Sequence, residues 1–340
     1  MSLLANWKEV LDTANLGRDK RMDFVSRWLI ITRAAVFSMT VTSGLIGGLL
    51  AANVARSDPA VQPNWLYFAL ALVGLMIAHA ANNMINDYFD LSGGVDEENY
   101  ARALYAPHPI LGGLVSKRGL LAAILLFNFV DVLIGLYLFA QRGWPVVLFA
   151  ALGLFISVFY VAPPIRLKHI GLGEPGVFVV WGPLMIGGAY FVTTGLLPDW
   201  RIWLATLPYA LVVTTVLFGK HIDKLEADRA KGIHTLPVLL RSEASRNVNM
   251  ALMTGYYLAV LALVLTGTLG LWVLLVVFAI PRLVRVLRIY RKPKPAAPPE
   301  NYPVWPLWYV SWSFYHNKLA GGMFILGLIA NLIRPVKLPL

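Results

Sequence analysis

The sequence predicts an all-α polytopic membrane protein, and three observations carry that expectation. Hydrophobic residues make up 58% of the 340, and charged residues only 14%, which is too apolar for an ordinary soluble domain. The apolar residues gather into runs near the length of about 20 that crosses hydrocarbon. The basic residues between those runs alternate in density, as a fixed orientation requires.

Nine runs qualify: 28–54, 65–86, 119–140, 144–162, 174–194, 201–219, 248–267, 270–289 and 306–332. The first contains Arg33. The last carries "SFYHNK", which suits the membrane interface at its start. Nine crossings with the N-terminus inside place 22 of the 29 Lys/Arg on the cytoplasmic side, counting Arg282, Arg285 and Arg288 at the end of the eighth run, and 5 on the other. Residues 1–27 form a polar cytoplasmic segment without the apolar core of a signal peptide, and 28–333 a single transmembrane domain. Cysteine is absent, which excludes disulfides and thiolate chemistry. The net charge of +11 fits loops facing anionic lipid and, on so apolar a chain, implies no nucleic acid.

The acids are concentrated. Nine of 18 lie in two segments: Asp87, Asp90, Asp96, Glu97 and Glu98 after the second run, and Asp223, Glu226, Asp228 and Glu243 after the sixth. This spacing suggests two four-helix halves, each ending its second helix in an acidic motif, plus a ninth helix. In "NDYFD", Asn83, Asp87 and Asp90 share a helix face. They offer hard oxygen ligands suited to Mg²⁺ shared with phosphates, and "SGG" lets Asp96 fold back. In the second segment Asp223 and Asp228 are five apart, which a regular helix does not align; a bulge or helix end near Lys224 would. Two facing carboxylate sites would hold two or more divalent ions around a diphosphate. Arg166, Lys168, Lys220, Arg229 and Lys231 are cations placed to complete it. Metal and cations together would make the diphosphate a good leaving group. Asp131, one turn from Asn128, is an intramembrane acid with either a structural partner or a part in acceptor binding.

These motifs together resemble the UbiA superfamily of intramembrane prenyltransferases, and within it the 1,4-dihydroxy-2-naphthoate polyprenyltransferase-like branch. "NDYFD" with "GVD" is similar to the first aspartate-rich motif, and "DRAKGIHTLPV" to the end of the second. "YVAPPIRLKHIGLGE" with "WGPLMIGGAYFV" is similar to the loop and span that follow the fourth helix. The resemblance covers about residues 28 to 290. It implies a nine-helix bundle around a central cavity, an isoprenyl diphosphate donor and Mg²⁺. It assigns Asn83, Asp87 and Asp90 to one metal–diphosphate site with Asp96 beside it, and Asp223 and Asp228 to the other. Lys168 and Arg33 would face the diphosphate, and Tyr160 the reacting carbon. Asn86, Glu226, His108 and Asp131 are further candidates. Three positions depart from the family pattern: His108 precedes Pro109 where arginine is usual, Ala34 follows Arg33 where proline is usual, and Lys224 stands four before Asp228.

The expected function is transfer of a polyprenyl group to an aromatic, quinone-precursor-like acceptor within the bilayer, at a cytoplasmic-side site. A non-quinone lipid acceptor, such as a carotenoid or chlorophyll-like molecule, is the nearest alternative, and a secondary transporter the alternative of another class.

Overall fold

The computed structural model describes residues 3–17, 20–97, 106–300, 302 and 304–336. Two short helices open the chain, α1 (Leu3–Thr13) and α2 (Phe24–Ile31). Then come α3 (Ala34–Ser57), α4 (Trp65–Ser92), α5 (Lys117–Arg142), α6 (Pro145–Phe159), α7 (Gly173–Thr194) and α8 (Trp200–Asp223). Short α9 (Leu225–Ala230) and α10 (Leu236–Leu240) lead to α11 (Ser242–Leu265), α12 (Ile280–Tyr290) and α13 (Tyr309–Ile333).

Local chemistry sets several helix starts. The side chains of Asp23, Asn64, Ser116 and Asp199 each accept a hydrogen bond from a backbone N–H three residues on. This satisfies one of the orphan donors of the first turn. Gly143 and Gly195 end α5 and α7 at positive φ of 79° and 77°, where a Cβ is unfavourable. Inside α7, Pro183 lacks an N–H, and the turn Val180–Leu184 widens to a π-bulge.

The expectation of nine spanning helices is overturned. Among the described residues seven helices are long and apolar enough to cross a membrane: α3, α4, α5, α7, α8, α11 and α13. The run expected at 144–162 is α6, whose 15 residues reach roughly 22 Å at 1.5 Å per residue, short of a bilayer core. The run expected at 270–289 is a 3₁₀ stretch, Leu271–Ala279, continued by α12. That helix carries Pro281 and three arginines and has a strongly polar face. Hydropathy alone does not separate such elements from a spanning helix. The first expected run is also divided, because α2 ends before Arg33.

The plan of two four-helix halves plus one does not hold either. Helix α13, expected as an addition, packs at the heart of the bundle against α3, α8 and the 3₁₀ stretch. Helix α8 is the most enclosed of the seven, and α5 the most exposed. Tyr209, Tyr256 and Phe324 fill the core where α8, α11 and α13 meet. Gly182 brings α7 close to α8: a Cβ there would stand 2.4 Å from that of Ala210.

Candidate active site

The ends of α4 and α8 meet beside the α2–α3 break and the segment between α6 and α7. Helix α4 presents Asn83, Asp87 and Asp90 on one buried face, at the i, i+4, i+7 spacing. Each is held by a different part of the chain. Asn83 Nδ2 donates to the Thr32 carbonyl at 2.9 Å, which leaves its side-chain oxygen as the ligand atom it can offer. Asp87 accepts a hydrogen bond from the Arg33 guanidinium. Arg33 adopts φ 55° at the break between α2 and α3, so the first expected span is broken where its arginine serves the site. Asp90 receives Lys168 Nζ on both oxygens, at 2.7 and 2.6 Å, in a pair that is nearly fully buried.

The "SGG" turn brings Asp96 back. The N–H groups of Val95 and Asp96 both donate to the Asp90 carbonyl, with Gly94 at φ 73°. Asp96 and Asp87 then lie with His108 in one buried cluster, a ligand atom of each within 4.8 Å of the others. The ring of His108 has a defined role. Its Nδ1 accepts the backbone N–H groups of Ile110 and Leu111 at 3.2 and 3.3 Å, so Nε2 carries the hydrogen. Nε2 faces Asp96 Oδ2 at 3.4 Å and Asp87 Oδ1 at 4.0 Å. His108 therefore turns an N–H, not a lone pair, toward the two carboxylates, which suits a neighbour of the ion rather than a metal ligand. Burial raises the Asp96 carboxyl and so does Asp87, but His108, Lys224 and Arg33 outweigh them, and Asp96 stays below its ordinary value. Two buried carboxylates with a carboxamide oxygen nearby are a donor set that fits Mg²⁺.

The second acidic segment is built differently. Helix α8 ends at Asp223, and Lys224, at φ −103° and ψ 3°, interrupts the helix before α9. Asp223 is turned away from the first segment. Its two oxygens accept the backbone N–H groups of Trp308, Tyr309 and Val310 at 2.9 to 3.0 Å, and Lys294 lies 3.8 Å away. It caps the N-terminus of α13. Asp228 is buried, with Lys224 Nζ 3.6 Å from its Oδ1. A small polar pocket lies between the two segments, where Lys220, His221 and Lys224 stand with Asp90, Asp96 and Lys168. Arg33, Asn86 and Tyr160 also border it.

Three expected residues are not brought there. Arg166 is solvent-exposed. Arg229 pairs with Glu226 at 2.9 Å on the surface. Lys231 binds Glu97 and the Gly94 carbonyl; Glu98 lies outside the described residues.

A feature the sequence did not disclose lies beside Tyr160. Its hydroxyl is 3.2 Å from His221 Nε2, and His221 Nδ1 is 2.6 Å from Glu174 Oε1. All three residues are buried. The carboxylate accepts from Nδ1–H, so Nε2 is the acceptor and the Tyr160 hydroxyl the donor. Gly173 makes room for the ring, since a Cβ there would meet Tyr160 Cε2 at 3.1 Å.

Tyr160, Arg33, Asn86 and Lys220 also border a larger cavity of about 410 Å³ that runs from the polar pocket into the bundle. Its far walls are apolar, with Leu75, Leu138 and Phe149 among them. Asp131 and Asn128 line it too. Asn128 Nδ2 bonds the Ile124 carbonyl of its own helix, and Asp131 lies against Gly74, where a Cβ would stand 2.9 Å from Oδ1.

Residues 36–317 match the model of the UbiA prenyltransferase family. Among curated proteins, the chain is 23% identical over 263 residues to the 1,4-dihydroxy-2-naphthoate octaprenyltransferase of Bacillus subtilis, covering 76% of this chain and 80% of that one. It is 24% identical over 263 residues to the 2-carboxy-1,4-naphthoquinone phytyltransferase of Synechocystis, covering 77% and 81%. Its fold is similar to that of a UbiA homolog from Archaeoglobus fulgidus solved bound to GPP and Mg²⁺, with a TM-score of 0.58 at 14% identity over 90% of this chain and 99% of that one.

Proposed function

The chain belongs to the UbiA prenyltransferase family, and from that premise we propose that it transfers an isoprenyl group from an isoprenyl diphosphate to a lipid acceptor inside the bilayer, with Mg²⁺. One observation carries this reading. A buried pocket of carboxylates, lysines and an arginine opens into an apolar cavity, so a charged head and a hydrocarbon tail each find a matching wall.

The proposed division of labour follows the geometry. Asp87 and Asp96 would hold the ion, with Asn83 supplying its carboxamide oxygen and His108 presenting its Nε2–H toward both carboxylates. Mg²⁺ would supply charge neutralisation for the departing diphosphate. Lys168, Lys220, Lys224 and Arg33 would bind the diphosphate oxygens, and Lys168 is fixed beforehand by Asp90. Asp228 orients Lys224. As the allylic C–O bond breaks, diphosphate leaves with the bonding pair and the prenyl carbon becomes electron-poor. Tyr160 donates its hydroxyl proton to His221 and so turns its oxygen lone pairs toward the pocket, where they would steady that carbon. The apolar wall excludes water from it. The acceptor then forms the new bond and releases a proton or another electrofuge.

Residues 28–333 would form one catalytic unit. We place its polar end at the cytoplasmic face, because the segments beside it carry Lys168, Lys220, Lys224, Arg229 and Lys231. A naphthoate-type acceptor is the finer proposal, supported by the two curated relatives, both named for naphthalene-ring substrates. The test is to supply membranes carrying the protein with geranylgeranyl diphosphate, Mg²⁺ and 1,4-dihydroxy-2-naphthoate. A prenylated, EDTA-sensitive product is expected. Diphosphate release with other lipid acceptors only would overturn the naphthoate proposal, and no release with any acceptor would overturn the whole reading.

A further inference from the structure

Paired acidic segments suggest paired ions, but the residues here fit one ion and not two. The first segment presents two carboxylates together, Asp87 and Asp96, in one buried cluster. A second divalent ion would need an equivalent pair from the second segment. Asp223 is committed elsewhere, since it accepts three backbone N–H groups at the start of α13. Withdrawing it would leave those donors without their acceptor. Glu226 and Glu243 are exposed, the first paired with Arg229, which leaves Asp228, and the ammonium group of Lys224 lies 3.6 Å from it. Lys220, one turn before Lys224 on the same side of α8, borders the same small pocket as Asp90 and Asp96. Two neighbouring ammonium groups, that of Lys224 buried and that of Lys220 partly so, repel a divalent cation and attract a diphosphate.

We propose that this site takes a single divalent ion, at Asp87 and Asp96, and that Lys220 and Lys224 bind the diphosphate directly on the side where a second ion would otherwise sit. The chemistry is consistent: a lysine ammonium neutralises phosphate charge as a point charge with three donors, and it does so without carboxylate ligands of its own. The inference rests on the diphosphate reading above and specifies how the site binds that group.

The experiment counts ions. Purified protein in nanodiscs is titrated with Mn²⁺ in the presence of saturating geranyl thiodiphosphate, whose C–S bond resists cleavage, and bound Mn²⁺ is followed by electron paramagnetic resonance. One ion per chain with an isolated six-line spectrum is expected. Lys224→Asp places a carboxylate four residues before Asp228, and is expected to bind a second ion with a dipole-broadened spectrum. Lys224→Met removes the charge alone. It is expected to keep one ion and weaken binding of the analogue at least tenfold. Two ions per wild-type chain, or unchanged analogue affinity in Lys224→Met, would overturn the inference. A folded Lys224→Asp protein that still binds one ion would overturn the part given to Lys224. If Lys224→Asp does not fold, the wild-type count and Lys224→Met still decide. Failure of the wild-type protein to bind the analogue at all, with or without Mn²⁺, would instead overturn the diphosphate reading.

Discussion

The ends of α4 and α8 each carry acids into the same pocket region, yet they use them in opposite ways. At α4 every carboxylate of the motif faces a cation or donor from a distant part of the chain: Arg33 for Asp87, Lys168 for Asp90, His108 for Asp96. At α8 the first acid has left the site to cap α13, and the second faces Lys224. Similar composition therefore conceals different work. A carboxylate surrounded by side chains that can reorient is available to a metal. A carboxylate holding three backbone donors is committed to the fold.

Exchanging matched substitutions between the two ends tests that contrast most strongly. Asp87→Asn should lower prenyl transfer by about 10³-fold or more, as loss of a charged group at the centre of transition-state stabilisation does. Its measure is diphosphate release by membranes of equal protein content. Asp223→Ala should leave release within several-fold of wild type but lower stability by about 2 kcal/mol or more, through the lost cap. Thermal unfolding in detergent reads that. If the two effects are reversed, the assignment of the ends is wrong.

The Lys168–Asp90 pair comes next. Removing one partner of a buried ion pair typically costs about 3–5 kcal/mol. Lys168→Met alone should therefore destabilise more than Lys168→Met with Asp90→Asn. A double-mutant cycle by chemical or thermal unfolding gives the coupling, and additive effects would mean that the pair is not formed. Smaller still is the expected effect on the Tyr160 relay. Glu174→Gln should reduce turnover by about 10- to 100-fold while leaving the affinity for geranyl thiodiphosphate unchanged. Glu174 holds the ring of His221 and does not border the polar pocket. Weakened analogue binding would assign Glu174 to the fold of the pocket instead.

How much of this was legible beforehand depends on whether the information is local. Asn83, Asp87 and Asp90 are readable because helical spacing alone aligns them. Asp96 is readable because two glycines precede it. The outward turn of Asp223 is a tertiary event. The five-residue spacing to Asp228 signals an irregularity, and the break at Lys224 supplies it. But which acid turns away depends on α13, more than 80 residues on. Glu174 reads as an ordinary acid in the first turn of a helix, and only the packing of α7 on α8 brings it to His221. The number of spans is not legible for a related reason. Apolar content in the 271–279 stretch is high whether the backbone winds as an α-helix or a 3₁₀ helix, so composition does not report its geometry.

The least effect is expected at Arg229, and that is its value. By sequence it is a diphosphate cation equal to Lys220, nine residues away and equally basic. In the fold it lies on the outer side of α9, paired with Glu226 in solvent, with 48% and 78% of the two side chains exposed. An exposed pair of this kind contributes less than about 0.5 kcal/mol. Arg229→Ala should leave both stability and turnover near wild type, whereas Lys220→Met should raise the dissociation constant for geranyl thiodiphosphate at least tenfold. Isothermal titration of both variants with the analogue makes the comparison directly. Equal losses would mean that the cationic side of the pocket extends over α9. A loss confined to Lys220 would place its boundary at the end of α8, where the helix breaks at Lys224.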